Sequence, residues 1–282
     1  IMALASTKKT DTVLVSASVD PKVLNVVKTY AHFHGFNVEL IAENDGATDK
    51  AQMDARLEKG GVAGVIVQQP NYHGIVEDFS GFADSCHAHK SLFIVNSVAV
   101  GDGQSLGIPM SFGGPSVGYM CCTEKLMRKM PGRIVGKTVD NRGQRVFVLT
   151  LQAREQHIRR QKATSNICSN ESLMALFVTI YMSVMGKEGV KEAAQMSYDG
   201  AHYLHDALIA TDLFSDKYER PFFNEFCVKY NGDVDRLQQR FIENGILGGV
   251  KVDADTLMFA VTEKRTKEEI DKLVNIAKEE KL

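Results

Sequence analysis

Between residues 12 and 96, short β-branched apolar runs alternate with segments of helical period, which predicts a parallel sheet covered by helices. Thr12-Val13-Leu14-Val15-Ser16 reads as the first strand. Asp20 can cap and Pro21 can start a helix whose Leu24, Val27 and Ala31 share a face, with Gly35 placed to end it. Residues 36–41 read as the next strand, and residues 49–59 as a short polar helix closed by Gly60-Gly61. Val62-Ala63-Gly64-Val65-Ile66-Val67 is apolar on both faces, as a central parallel strand is. Gln68-Gln69-Pro70-Asn71 follows at its carboxyl end, where open α/β sheets place their ligand-contacting loops.

Two apolar runs then collide. Phe93-Ile94-Val95 and Val98-Ala99-Val100 both look like buried strands, yet only Asn96 and Ser97 separate them. Parallel strands need a crossover of roughly a dozen residues, so this is either one bent strand or a place where residues are absent, and absence is the favoured expectation. Residues 101–131 are rich in Gly and Pro with little periodicity, the mark of a functional or interface loop. Asp140-Asn141-Arg142-Gly143 joins two strand-like runs into a predicted hairpin. Helices are expected over 170–185 and 187–210. The run 173–185 is too short for a bilayer and reads as a buried helix. The tail predicts strand 222–230, helix 233–244, strand 256–262 and helix 266–280, the last opened by Thr266 with Glu269 three residues on. The expected division is a large domain over 1–195 and a smaller α+β domain over 196–282.

Composition narrows the classes. The chain has 282 residues, 44% hydrophobic and 24% charged, which suits a globular protein and excludes collagen-like, disordered and coiled-coil chains. Lys+Arg 33 against Asp+Glu 35 leaves −2, so charge proposes no nucleic acid or membrane partner. Five cysteines, Cys86, Cys121, Cys122, Cys168 and Cys227, are an odd number in a chain too large to need disulfides, and the cytoplasm is expected. The start Ile1-Met2-Ala3-Leu4 has no signal-peptide pattern and looks internal.

Gly101-Asp102-Gly103-Gln104-Ser105-Leu106-Gly107 is not a dinucleotide fingerprint, because the third glycine is a residue late and Pro109 stands where a helix should begin. With Ser111-Phe112-Gly113-Gly114-Pro115 it is either an anion-holding loop or a tight structural turn. His32/His34, His87/His89 and His202/His205 complete no metal-ligand spacing, so no metal is expected. Cys121-Cys122 lacks an obvious base. Arg154-Glu155-Gln156-His157-Ile158-Arg159-Arg160-Gln161-Lys162 concentrates five cationic groups, either to meet a carboxylate, phosphate or acidic partner, or as a solvated helix face.

Gly101-Asp102-Gly103-Gln104-Ser105-Leu106-Gly107-Ile108-Pro109-Met110-Ser111-Phe112-Gly113-Gly114-Pro115, Leu149-Thr150-Leu151-Gln152-Ala153-Arg154-Glu155-Gln156-His157-Ile158-Arg159-Arg160 and Ala163-Thr164-Ser165-Asn166-Ile167-Cys168 closely resemble subunit 1 of the glycine cleavage system P-protein. The likeness continues through Phe222-Phe223-Asn224-Glu225-Phe226 and Thr262-Glu263-Lys264-Arg265-Thr266 and so covers nearly the whole chain. It implies a fold-type I pyridoxal phosphate (PLP) transferase fold: part of the large domain, with a mainly parallel sheet, and a smaller C-terminal α+β domain. The implied activity is decarboxylation of glycine with transfer of the aminomethyl group to the lipoyl arm of H-protein. Unlike subunits would assemble the site in a heterotetramer.

The family's catalytic subunit carries its Schiff-base lysine in a pattern resembling His-Lys-Thr before a Gly-Gly-Pro-Gly loop. Counted back from Pro115, the matching place is Gln104, whose carboxamide is not a nucleophile. By this resemblance the chain has no catalytic residue, is inactive alone, and completes the site of subunit 2, which binds PLP covalently. Gly113 and Gly114, with Ser105 nearby, are expected to face the partner's PLP phosphate, and His157, Arg159 and Arg160 the intersubunit surface. Family members have a longer amino-terminal part and an additional segment where the two strands collide. The competing readings are another fold-type I PLP enzyme with a lysine placed elsewhere, and a scaffold or regulatory chain.

Overall fold

The alternating runs of the first hundred residues form one sheet. The computed structural model describes residues 1–9, 11–97, 100–111, 113–132, 134–150, 156–163 and 171–280. Helix α1 (Met2–Thr7) precedes β1 (Thr12–Ser16), α2 (Pro21–His34), β2 (Asn37–Ile41), the short β3 (Glu43–Asn44) and β4 (Ala47–Thr48), α3 (Lys50–Glu58), β5 (Val62–Gln68), α4 (Phe82–Ala88), β6 (Leu92–Asn96), β7 (Val100–Asp102) and β8 (Gly118–Met120). Among the described residues the sheet order is β2-β1-β5-β6-β7-β8, with parallel pairing except at β8. The order reverses between β1 and β5, the topological switch point of such sheets.

Local chemistry accounts for these elements. The Asp20 side chain accepts from the Lys22 amide at 2.7 Å, and Gly35, at φ 69°, closes α2 through its amide on Ala31 O. Strand β5 feeds both faces of the sheet. Val62, Val65 and Val67 pack with Leu14, Met53, Leu57, Phe82 and Cys86, while Ala63 joins Ala3, Val13, Val15, Ala31 and Phe36 on the other side. Each fully buried Leu or Met side chain contributes about 1.5 to 3 kcal/mol of transfer free energy.

The colliding strands resolve into neighbours. β6 and β7 are parallel but share the single register pair Asn96↔Val100. Val98 and Ala99, two thirds of the expected second run, lie outside the described residues.

After β8 the chain makes the antiparallel hairpin of β9 (Ile134–Val139) and β10 (Arg145–Thr150), whose turn is held by Asp140 accepting from the amides of Arg142 and Gln144. The short α5 (Gln156–Arg159) and the long α6 (Ser172–Ile209) follow. β11 (Phe214–Asp216), β12 (Glu225–Tyr230), α7 (Val234–Glu243), β13 (Val250–Lys251), β14 (Thr256–Ala260) and α8 (Lys267–Glu279) complete the chain. The two strands expected in this tail are antiparallel partners in a sheet of order β11-β12-β14-β13, and the short outer strands β11 and β13 left no readable pattern. The capping box of α8 is formed by Thr266 and Glu269 in both directions. Phe226, Val228, Leu237, Phe241, Leu257 and Phe259 centre its core.

The two helices expected on either side of residue 186 are present: Gly186, at φ 63° and ψ −177°, is non-helical and divides the run Ser172–Ile209 that α6 denotes. The first half is mostly exposed, contrary to its apolar composition: Val178 is buried, but Leu173 is 68% exposed and Val184 80%. Apolar composition shows that a face is to be covered, and among the described residues only the patch around Val178 and Tyr181 is covered, by the Gly-rich loop. By length and composition α6 could cross a membrane, with a window of mean hydropathy 1.3. The break at Gly186 leaves an apolar half of roughly 21 Å, well under a bilayer core, and the other half carries Lys187, Glu188, Lys191 and Glu192.

Candidate functional site

The Gly-rich segment leaves β7, turns back, and returns as β8, so the two strands form its stem. Gly103 donates to Val117 O at 2.7 Å, and the amides of Leu106 and Ile108 close turns onto Gly103 O and Gln104 O. The loop rests on α6, where Gly107 lies against the Tyr181 ring and Gly103 within 3.9 Å of Val178 once a Cβ is imagined on each.

Gln104 sits inside this loop, half-buried. Its carboxamide nitrogen donates to Pro109 O at 3.2 Å and to Pro115 O at 3.1 Å, while its backbone amide donates to Asp102 Oδ1 at 2.6 Å. Its Oε1 is buried and has no hydrogen-bond partner among the described residues. Ser105 and Gly113 are exposed. Around Gly113 and Gly114 no atom lies within 4 Å of an added Cβ, so both backbones border open space. Gly113, at φ 102°, already donates its amide to Met110 O at 2.9 Å. Gly114 has no such partner among the described residues, so its amide, with the Ser105 hydroxyl, is a group this loop can offer an anion.

The fit to PLP follows from this chemistry. No lysine occurs between residues 101 and 118, and the one side chain at the position implied for it is a carboxamide engaged with two carbonyls. Open backbone at Gly113-Gly114 leaves room for an anion such as a phosphate, and residues 101–118 include no amine side chain for a covalent attachment.

His157 and Arg159 stand on α5, and Arg160 opens a single 3-10 turn at φ 52°. All three are exposed. Arg154, Glu155 and the residues 164–168 of the same motif lie outside the described residues. The structure gathers Gln104, Ser105, Gly113 and Gly114 in one loop, and places His157, Arg159 and Arg160 on the exposed segment after β10. On β9, β10 and α5, Val135 at 58%, Phe147 at 62% and Ile158 at 51% exposure are also large apolar side chains left open to solvent.

The loop after β5 is internally saturated. Gln69 exchanges hydrogen bonds with both backbone groups of Glu77, and Asn71 donates to Gly46 O and Glu77 Oε1. The buried Glu77 carboxylate also accepts from Ser18 Oγ at 3.0 Å and the Thr48 amide at 2.8 Å. This cluster spans the switch point between β1 and β5. Its only sequence signal was a charged residue directly after Ile75-Val76, since Ser18, Thr48 and Asn71 look like ordinary turn residues. His202 stacks on Phe222, and His205 bonds Asp216 at 2.7 Å, which explains both without a metal.

Residues 1–277 match the family described as the glycine cleavage system P-protein. A protein of Anoxybacillus flavithermus named probable glycine dehydrogenase (decarboxylating) subunit 1 is 44% identical over 97% of this chain and 66% of its own length. One of the same name from Brevibacillus brevis is 47% identical over 92% of this chain and 62% of its own. The chain thus spans a little under two thirds of the curated relatives it matches. The alignment with the first runs over 297 positions, more than the 282 residues here, so that relative carries residues this chain lacks. Among solved structures, glycine decarboxylase (P-protein) of the glycine cleavage system in inhibitor-bound form has a TM-score of 0.90 and 36% identity, covering 99% of this chain and 67% of that one. A C-DES variant with glycine covalently linked to its PLP cofactor, 15% identical over 98% of this chain and 78% of its own, shares the fold at a TM-score of 0.65. The fold is that of the type I PLP-dependent enzymes.

Proposed function

The chain belongs to the glycine cleavage system P-protein family, and we propose that it acts as subunit 1 of a two-subunit glycine dehydrogenase (decarboxylating). In this reading glycine loses its carboxylate, and its aminomethyl group passes to the lipoyl arm of H-protein. Bound PLP supplies the electron sink for that loss. The observation that carries the proposal is Gln104: at the position the family resemblance gives to the lysine stands a carboxamide fastened to Pro109 O and Pro115 O. The reactive amine then comes from a companion subunit, which holds PLP covalently.

This chain's part is to shape the neighbouring site. Gly114 and Ser105 present an amide and a hydroxyl to the cofactor phosphate, with Gly113 holding the turn that exposes them. His157, Arg159 and Arg160, exposed on either side of the half-exposed Ile158, suit an intersubunit surface with charged anchors. We extend the reading to a heterotetramer, to a cytoplasmic setting, supported by the free thiols of Cys86, Cys121, Cys122 and Cys227, and to a small domain over 196–282, supported by the separate apolar cluster from Ala201 to Ala277.

The test is glycine-dependent exchange of labelled CO2 by the companion subunit with and without this chain. Exchange that needs both is expected. Full exchange without this chain, or none with it, contradicts the proposal.

A further inference from the structure

We infer that Gln104 is a positioning residue: its carboxamide is a clasp that fixes the shape of the loop from Pro109 to Pro115. The two carbonyls it binds belong to prolines at the two ends of that loop. Proline has no backbone N–H, so neither loop end can donate a main-chain hydrogen bond of its own. The single Gln104 NH2 supplies one hydrogen to each and draws the ends together across Met110, Ser111, Gly113 and Gly114. Its orientation is determined, because the flipped amide would set an oxygen against two carbonyl oxygens. The backbone amide bonded to Asp102 and the Gln104 carbonyl bonded to Ile108 N hold the clasp's base.

The geometry also explains why the side chain at 104 has to carry hydrogen-bond donors. The site needs two donors at the carbonyls and leaves one buried acceptor, Oε1, which no described residue satisfies. A carboxylate of the same shape would offer no donors and would repel both carbonyls. Closing the loop neck exposes the Gly114 amide and keeps the open backbone at Gly113-Gly114 facing outward. That last consequence rests on the proposed function; the clasp itself does not.

The experiment compares the wild-type chain with Gln104→Ala, Gln104→Glu and Gln104→Lys. Backbone hydrogen exchange is followed in peptides covering residues 110–118, and in β1 and β5 as a folding control. Loss of two ordinary hydrogen bonds is expected to speed exchange in the loop by about 10-fold or more in the Ala and Glu variants, with β1 and β5 unchanged. Lys, which restores donors, is expected to recover slow exchange. Glu behaving as wild type, or Lys behaving as Ala, overturns the clasp. In parallel, PLP affinity of the companion subunit is titrated by absorbance with each variant present. The expected result is weaker PLP binding with Ala and Glu than with wild type or Lys. If wild type itself leaves that affinity unchanged, the proposed function fails while the exchange result still decides the clasp.

Discussion

Gly107 lies so close to Tyr181 that a Cβ on the glycine would stand 2.7 Å from the ring Cγ, and its φ of 85° is one that side chains resist. This contact seats the Gly-rich loop on the exposed half of α6. Gly107→Ala therefore is expected to destabilise the chain by about 1 to 3 kcal/mol and to open the loop to protease, measured by urea unfolding and limited proteolysis. An unchanged cleavage pattern would show that the contact does not hold the loop.

The switch-point cluster is a structural bond between the loops after β1 and β5. Glu77→Ala removes the acceptor of Ser18, the Thr48 amide and Asn71 in a buried site, at an expected cost of about 2 to 3 kcal/mol. Glu77→Gln, which keeps one acceptor, is expected to cost less. Equal midpoints in urea for both variants would contradict this.

The elements around these two sites were unevenly legible. The strand at Thr12–Ser16, the Asp20 and Gly35 caps and the Thr266 capping box follow from local rules, because each is decided by residues within one turn of it. The antiparallel neighbours β11 and β13 were not legible: strands of two or three residues carry no period, and their pairing depends on how the chain turns into the longer β12 and β14. The burial of α6 was misread for a different reason. Its apolar residues at 173–185 obey the core pattern, but pattern does not say whether the cover is another helix of this chain or another molecule. Within the site, a carboxamide at 104 was visible in the sequence. Its bonds to Pro109 and Pro115 were not, since they depend on how the loop folds back.

Acid is expected to weaken one surface tie of the C-terminal sheet. The Lys217 ammonium, 2.8 Å from Asp253, holds the Asp253 carboxyl well below its ordinary value of 3.8. A carboxyl lowered by folding lends stability that is complete above its unfolded pKa and is lost as pH falls from there through its lower folded pKa. The difference in thermal midpoint between wild type and Asp253→Asn is expected at pH 7 and should shrink as pH falls below about 4. A difference that is constant with pH would rule out the ion pair as its source.

Thiol reactivity should separate the cysteines. Burial pushes the Cys86 and Cys227 thiols up to about 12, whereas Cys121 is exposed. At pH 8 a disulfide reagent is expected to label Cys121 in the native chain and to reach Cys86 and Cys227 only after denaturation. Prompt native labelling of Cys227 would contradict its burial.

The most direct measurement concerns where PLP becomes attached. This chain and the companion subunit are each incubated with PLP, alone and together, reduced with borohydride, and weighed by mass spectrometry. The expected result is the PLP mass increment on the companion subunit and none on this chain in either preparation. A stoichiometric increment on any lysine of this chain would contradict a reactive amine supplied by the partner.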